Sequence, residues 1–509
     1  MDELAKARIE LARLEAKVEN LLQQFLDATE TAAAQRSKID ALIRNRPTPI
    51  DRLPAELLLD IISLAIPKEN DIFLSVYKSD GGRKLELASV SRRWRDIIFG
   101  CPSLWTTIEV GPSTPSPATY LKRSHDAPLD VIIQCRPRYG FAGHKEVDLL
   151  LAKLASLIPS VQRWRSMVII GDLDLLQIHN PIVRKFSRLT FPSLKRAIIS
   201  PSQPLDTNDG NALLTYPDFL APKYIPVLEH MELDSYPPSA RFRTINTLKS
   251  LKLKLFSVIP NIDPTTFLRQ IPAESLTTLS LTGDVSSLRL PPNSIHFPLL
   301  HTLDLHLIGG RQFLEAIVVP VLTQFTYLGD PRESRTAMVF GDLGSKFDHV
   351  HRLCFSPSVS LPHHDGIGYD DAMALSRAFP CVHHIQGDLR LISPLFDDHP
   401  DSWRFLESLT FDILLPNDWF PRGTDRLVSW LKGRQKLGLP RLRLKFTTAA
   451  TNNSWKAAHE NDAGLFSKLY EELRMHCILD MDHFLVKPHM YLSMDGDSPL
   501  RVVSAKSAN

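Results

Sequence analysis

The sequence predicts an α/β chain: a solenoid of stacked strand and helix units, preceded by a small all-α segment and an N-terminal coiled-coil helix. Three observations carry this. Residues 1–46 hold an apolar heptad with no Gly or Pro. Residues 53–105 hold two short amphipathic stretches. Beyond residue 117 one apolar phrase recurs at intervals of 20 to 34 residues.

The heptad comes first. Leu4, Leu11, Val18, Phe25, Ala32 and Ile39 lie seven apart, and Ala7, Leu14, Leu21, Ala28, Gln35 and Leu42 each follow by three. These are a and d positions, with Arg8, Glu10, Glu15 and Lys17 at the flanking e and g sites. The second half is weaker, since Ala28, Ala32 and Gln35 bury little. Residues 1–46 therefore read either as a coiled coil that forms a homodimer or as one amphipathic helix folded back on its own protein. Pro47 and Pro49 end it.

The next segment reads L-P-A-E-L-L-L-D-I-I at Leu53–Ile62, L-E-L-A-S-V-S-R-R-W-R-D-I-I at Leu85–Ile98, and C-P-S-L-W at Cys101–Trp105. Pro54 suits the first turn of a helix, where a missing N–H costs nothing. Leu57, Leu58, Ile61, Ile62 and Ala65 recur at helical spacing, as do Leu87, Val90, Trp94, Ile97 and Ile98. Helices this short cannot hide that much apolar surface, so another element or a partner covers part of it. Residues 67–84 read as an enlarged polar loop between them. Arg92, Arg93 and Arg95 are placed on the wet face of the second helix.

These residues resemble an F-box. Leu53, Pro54, Glu56 and Leu57 match the opening of that family's pattern, Val90 to Trp94 its centre, and Leu104 and Trp105 its end. The matching span is residues 50–110. The resemblance implies docking to a Skp-type adaptor and, through it, to the cullin of a ubiquitin ligase. The adaptor contacts it implies are Leu53, Pro54, Glu56, Leu57, Ile61, Val90, Trp94 and Ile97, with Trp94 alternatively serving as the motif's internal core.

The recurring phrase has an apolar anchor, two other residues, then apolar residues two apart. Examples are F-P-S-L-K-R-A-I-I at Phe191–Ile199, I-P-V-L-E-H-M-E-L at Ile225–Leu233 and F-P-L-L-H-T-L-D-L at Phe297–Leu305. The anchors are Val161, Leu194, Leu228, Leu248, Leu276, Leu300, Leu322, Val350, Val382 and Leu406. The alternating residues form a short strand whose apolar side points inward, and stacking such units builds one extended core. Leu104–Val110 and Leu129–Ile133 are expected as earlier strands, Ala118–Ser124 and Arg311–Val319 as helices, and Arg441–Phe446 as a closing strand.

The phrase and its spacing resemble a degenerate leucine-rich repeat, which implies a horseshoe solenoid over residues 118–480. The usual closing Asn or Cys is missing, and the alternative is a generic α/β domain with leucine-rich strands. Residues 481–509 read as a polar C-terminal tail. In the repeats, residues between the inward leucines share one surface. Glu232, Asp234, Lys252, Lys254, Asp304 and His306 are the candidate target-binding residues there.

Composition narrows the function. The chain has 509 residues, too many for one core, with 43% hydrophobic and 23% charged residues. A net charge of +2 predicts no broad field for nucleic acid. No apolar window is long enough to span a membrane. Five scattered cysteines and no apolar leader predict a reducing, intracellular setting, cytoplasmic or nuclear. His349, His351, His363, His364, Cys381, His383 and His384 cluster loosely in sequence, but a zinc site needs four ligands converging in space, and His349, His351, His383 and His384 lie in repeat phrases where alternate residues face the solvent. No phosphate loop, nucleophile elbow or zincin helix is present. The expectation is a non-enzyme without metal or cofactor: the substrate-recognition subunit of an SCF-type ligase, or alternatively an adaptor-bound scaffold outside any ligase.

Overall fold

The structure is a computed structural model that describes residues 2–45, 49–66, 80–112, 114–135, 144–171, 175–201, 218–234, 244–255, 268, 270–286, 289–329, 339–341, 343–344, 346–357, 369–387, 401–411, 420–446 and 471–480. Two compact units divide the chain, residues 1–105 and 106–509. The predicted tail at 481–509, residues 67–79 of the predicted loop, and His363 and His364 lie outside the described residues; the rest of that predicted loop, from residue 80, is instead helical, within Asp80–Ser89.

The first unit is helical. Helix α1 runs Glu3–Asn45 and α2 runs Ala55–Ala65; helices Asp80–Ser89 and Arg92–Gly100 and a 3-10 turn at Pro102–Trp105 follow. Pro54 stands at the cap position just before α2 rather than inside its first turn, with an extended ψ of 153°. Ser91 caps the last helix: its hydroxyl accepts the Trp94 N–H at 3.2 Å. The unit's interior is made by Leu58, Ile62, Leu87, Trp94, Ile98 and Trp105, all buried. The Trp105 indole donates to the Ile98 carbonyl at 2.8 Å, so its polar edge is satisfied in the interior.

The second unit is built on one long parallel sheet. Its strands are β1 Thr107–Val110, β2 Leu129–Gln134, β3 Trp164–Gly171, β4 Arg196–Pro201, β5 His230–Asp234, β6 Ser250–Leu255 and β7 Thr278–Asp284. After a short β8 at Ile295–His296 come β9 Thr302–Ile308, β10 Ile317–Val318, β11 Gln324–Gly329, β12 Arg352–Pro357, β13 His384–Gly387, β14 Ser408–Phe411, β15 Arg443–Phe446 and β16 Ile478–Asp480. Fourteen of these pair in chain order, while β8 and β10 form a separate two-stranded pair. Every pairing is parallel, so each strand starts at the same edge of the sheet as the last. Helices cross between several strands, among them His144–Leu157, Leu175–Phe186 and Phe420–Lys436.

The anchors from Leu194 to Leu406 all lie at 0–1% exposure, directly before their strands. Val161 does not hold this place. Trp164, fully buried, takes it before the body of β3, and Val161 lies in a 3-10 turn. The Trp164 ring packs edge-on to Phe186 with centroids 5.8 Å apart. The predicted first strand starts at Thr107, because Leu104 and Trp105 belong to the turn. The predicted helix Arg311–Val319 stops at Ala316, since Ile317–Val318 pairs with Ile295–His296. The predicted closing strand is not the last among the described residues: Ile478–Asp480 pairs with Arg443–Phe446.

The residue after each anchor forms a second regularity. Backbone N–H groups of Lys195, Glu229, Lys249, Thr277, His301, Thr323, His351, His383, Glu407 and Arg443 each donate to the carbonyl of the equivalent residue one unit earlier, at 2.8–3.0 Å. This ladder fixes the register from unit to unit, which the apolar anchors alone would leave free to slip.

Candidate functional site

Two surfaces concentrate the predicted residues, one on each unit. On the helical unit the starting point is α2. Leu58 and Ile62 fill the interior. Leu57 and Ile61, on another stripe of the same helix, are 50% and 40% exposed. Leu64 continues that stripe and is 77% exposed. A helix apolar on two stripes is built to be covered on both. Leu85 and Val90 are exposed apolar residues of the same unit.

The structure places Pro54, Glu56, Leu57, Ile61 and Val90 at the surface. Leu53 and Ile97 are half-buried, and Trp94 lies in the interior at 8% exposure. Glu56 sits in the first turn of α2, where a carboxylate favours the helix dipole. Arg93 is not on the wet face with Arg92 and Arg95: its guanidinium donates to the Leu53 carbonyl and ties the last helix to the start of α2. Sequence reasoning missed Leu64 and Leu85. Leu64 had a signal, since it follows Leu57 and Ile61 at i+7 and i+3.

On the sheet the register brings the predicted charges together. Glu232 pairs with Lys252 and Asp234 with Lys254 across β5 and β6, and Asp304 and His306 on β9 stand beside Ser280 and Thr282 of β7. All six residues therefore share the face opposite the buried leucines. The charges are already matched within the chain. Lys252 Nζ lies 2.8 Å from Glu232, and Lys254 Nζ lies 2.9 Å from Asp234. Asp234 is almost fully buried and also accepts the Ser200 hydroxyl at 3.0 Å.

A second charge ladder, not foreseen, runs along the residues after the anchors. Glu229 bridges Lys195 at 3.2 Å and Lys249 at 3.4 Å. Hydrogen bonds from Lys195 and then Lys249 hold its carboxyl below the usual range. Toward β2–β4 the same face turns apolar: Ile132, Val168 and Ile198 are paired in one row and each is less than 5% exposed.

The histidines are spread along strand starts. The His351 and His383 rings lie tilted against each other, at 47° and with centroids 4.9 Å apart. Nδ1 of His351 faces the Cys381 carbonyl at 3.3 Å, and Nδ1 of His384 the Ser408 hydroxyl at 2.8 Å. Among the described residues no three His, Cys, Asp or Glu side chains gather to hold a metal. Nor is any described helix long and apolar enough to cross a membrane.

The model of the F-box-like family matches residues 50–110. The chain thus carries an F-box-like domain over the helical segment that follows α1, and the match extends through β1. Domains of this kind generally bind Skp-type adaptors within SCF ubiquitin ligases. No curated protein matches the chain.

Proposed function

We propose that this chain is the substrate-recognition subunit of an SCF-type cullin-RING ubiquitin ligase and is not itself an enzyme. The observation that carries the reading is the exposed apolar stripe Leu57, Ile61 and Leu64 on the second face of a helix inside the F-box-like match. Burying such side chains in a partner releases roughly 1.5–3 kcal/mol for each one fully covered. The adaptor would take Leu57, Ile61 and Val90 directly, with Pro54 and Glu56 at the edge. Leu53, Trp94 and Ile97 would shape that surface from behind.

The parallel sheet would be a leucine-rich-repeat-like solenoid that holds a target protein on the face carrying Glu232, Lys252, Asp304 and His306. Ubiquitin transfer would then follow from proximity, a charged enzyme elsewhere in the ligase being held near target lysines. The N-terminal helix would join two copies of the receptor. An intracellular setting, cytoplasmic or nuclear, goes with this role.

The test is co-purification of the full chain from cells, followed by comparison of proteins that accumulate when residues 53–105 are deleted. The reading expects adaptor and cullin together, and a defined set of accumulating proteins. Adaptor without cullin would mark a scaffold outside the ligase.

A further inference from the structure

We propose that α1 pairs with α1 of a second copy in antiparallel orientation, about a two-fold axis at residue 23. The inference rests on the dimer reading of this helix and adds its geometry. All the side chains described on α1 are exposed, and its bulky a and d residues, such as Leu11, Leu14 and Phe25, are each more than half exposed. The helix is 43 residues, about 65 Å, long. It has no break at which it could fold on itself, so a seam of this length calls for another helix.

Volume selects the orientation. The first half of the seam is bulky and the second half small. In a parallel in-register pair each layer meets its own copy, so Ala28, Ala32 and Gln35 form three successive thin or polar layers. The two Phe25 rings would crowd each other in the layer before them. In the antiparallel pair an a position lies level with a d position, and residues whose numbers add to 46 face each other. Val18 then meets Ala28, Leu14 meets Ala32, Leu11 meets Gln35 and Ile39 meets Ala7. Phe25 meets Leu21 twice, on either side of the axis. Every small residue gains a large neighbour, which is how cores reach native density without voids.

The flanks agree. Leu22 is an e residue, 58% exposed, with no seam partner in the parallel pair, where Lys17 flanks it. In the antiparallel pair Leu22 meets Leu22 at the axis. Glu10 faces Lys38 of the second copy at both ends of the antiparallel pair, whereas the parallel pair sets Glu10 against Glu15. Arg8 against Arg36 is the like-charge contact of the antiparallel flank, and at a wet surface it costs little.

The experiment uses the full chain. Sedimentation gives the dimer constant, and spin labels carried by a non-canonical amino acid at Ala12 give the orientation without touching the native cysteines. The antiparallel pair separates the two labels by about 33 Å along the axis. The parallel pair sets them level, under about 20 Å apart. Glu10→Lys should weaken the dimer about tenfold, and Glu10→Lys with Lys38→Glu should restore it. A short label distance, or a tighter dimer with Glu10→Lys alone, overturns the orientation while leaving the dimer. A monomer at every concentration overturns both.

Discussion

Lys254 Nζ stands 2.9 Å from a carboxylate oxygen of Asp234, and Asp234 has only 1% of its surface exposed. The pair spans β5 and β6 and joins residues 20 apart in the chain. It makes Lys254 a structural residue as well as a surface one. Lys254→Met should destabilise the sheet unit by about 2 kcal/mol, because a buried carboxylate loses a cation. Lys252→Met, whose partner Glu232 is less deeply set, should cost under about 1 kcal/mol. Denaturant melts of the two variants check the difference. Target capture is therefore best probed at Lys252, where a charge change leaves the fold nearly intact.

Ser91 stands between the helices Asp80–Ser89 and Arg92–Gly100 of the first unit and caps the second of them. Its hydroxyl holds the Trp94 N–H, and Trp94 is part of the interior. Ser91→Ala should cost about 1 kcal/mol. Ser91→Asp should retain most of the stability, since a carboxylate caps equally well. Thermal unfolding of the three proteins side by side measures this.

Arg434 is buried at 1% exposure and donates to the carbonyls of Ser402, Trp403 and Leu406. Burial pushes its pKa down to about 10, so the group stays charged at neutral pH. Its guanidinium also lies over the Trp430 ring, 5.0 Å from the centroid. It closes the turn before β14 in the way a capping residue closes a helix. Arg434→Met keeps the packing volume but strands those carbonyls, and should cost about 3 kcal/mol. Arg434→Lys should recover only part of this, because an ammonium cannot span carbonyls as a planar fork does. Hydrogen exchange at β14 and β15 should rise locally in both variants.

Much of the sheet was legible in the sequence. The anchors from Leu194 to Leu406 each precede a strand because one buried leucine or valine per unit repeats with the chain's own period. Trp164 was missed because an aromatic there does not look like the leucine elsewhere, although it fills the same place. The short β10 was missed because Ile317 and Val318 extend an apolar helical pattern, and only the distant Ile295–His296 reveals them as a strand. The charged rows were legible too: Glu232 and Lys252 each lie four residues after their anchors, Leu228 and Leu248, so the phrase sets them in neighbouring rows whatever the length of the connection. What the phrase did not give is that the rows close on each other as ion pairs. On the helical unit, the motif residues were legible as a set. Their division into exposed Leu57 and Ile61 and buried Leu58 and Ile62 needed the packing, since all four sit on one short apolar helix.

Adaptor binding by the exposed stripe of α2 is the central claim, and Leu57→Asp with Ile61→Asp tests it most directly. Both side chains are solvent-facing, so the unit should stay folded. Leu53 is less suited to the purpose, because it is half-buried and its carbonyl takes Arg93. The measurement is the affinity of the purified full chain for a Skp-type adaptor, with and without the two changes, alongside the melting curve of each protein. Two charges placed in the centre of an apolar interface should cost at least about 2 kcal/mol, a loss of about 30-fold or more, with unchanged melting. An unchanged affinity in the double variant would contradict the assignment of this face to the adaptor.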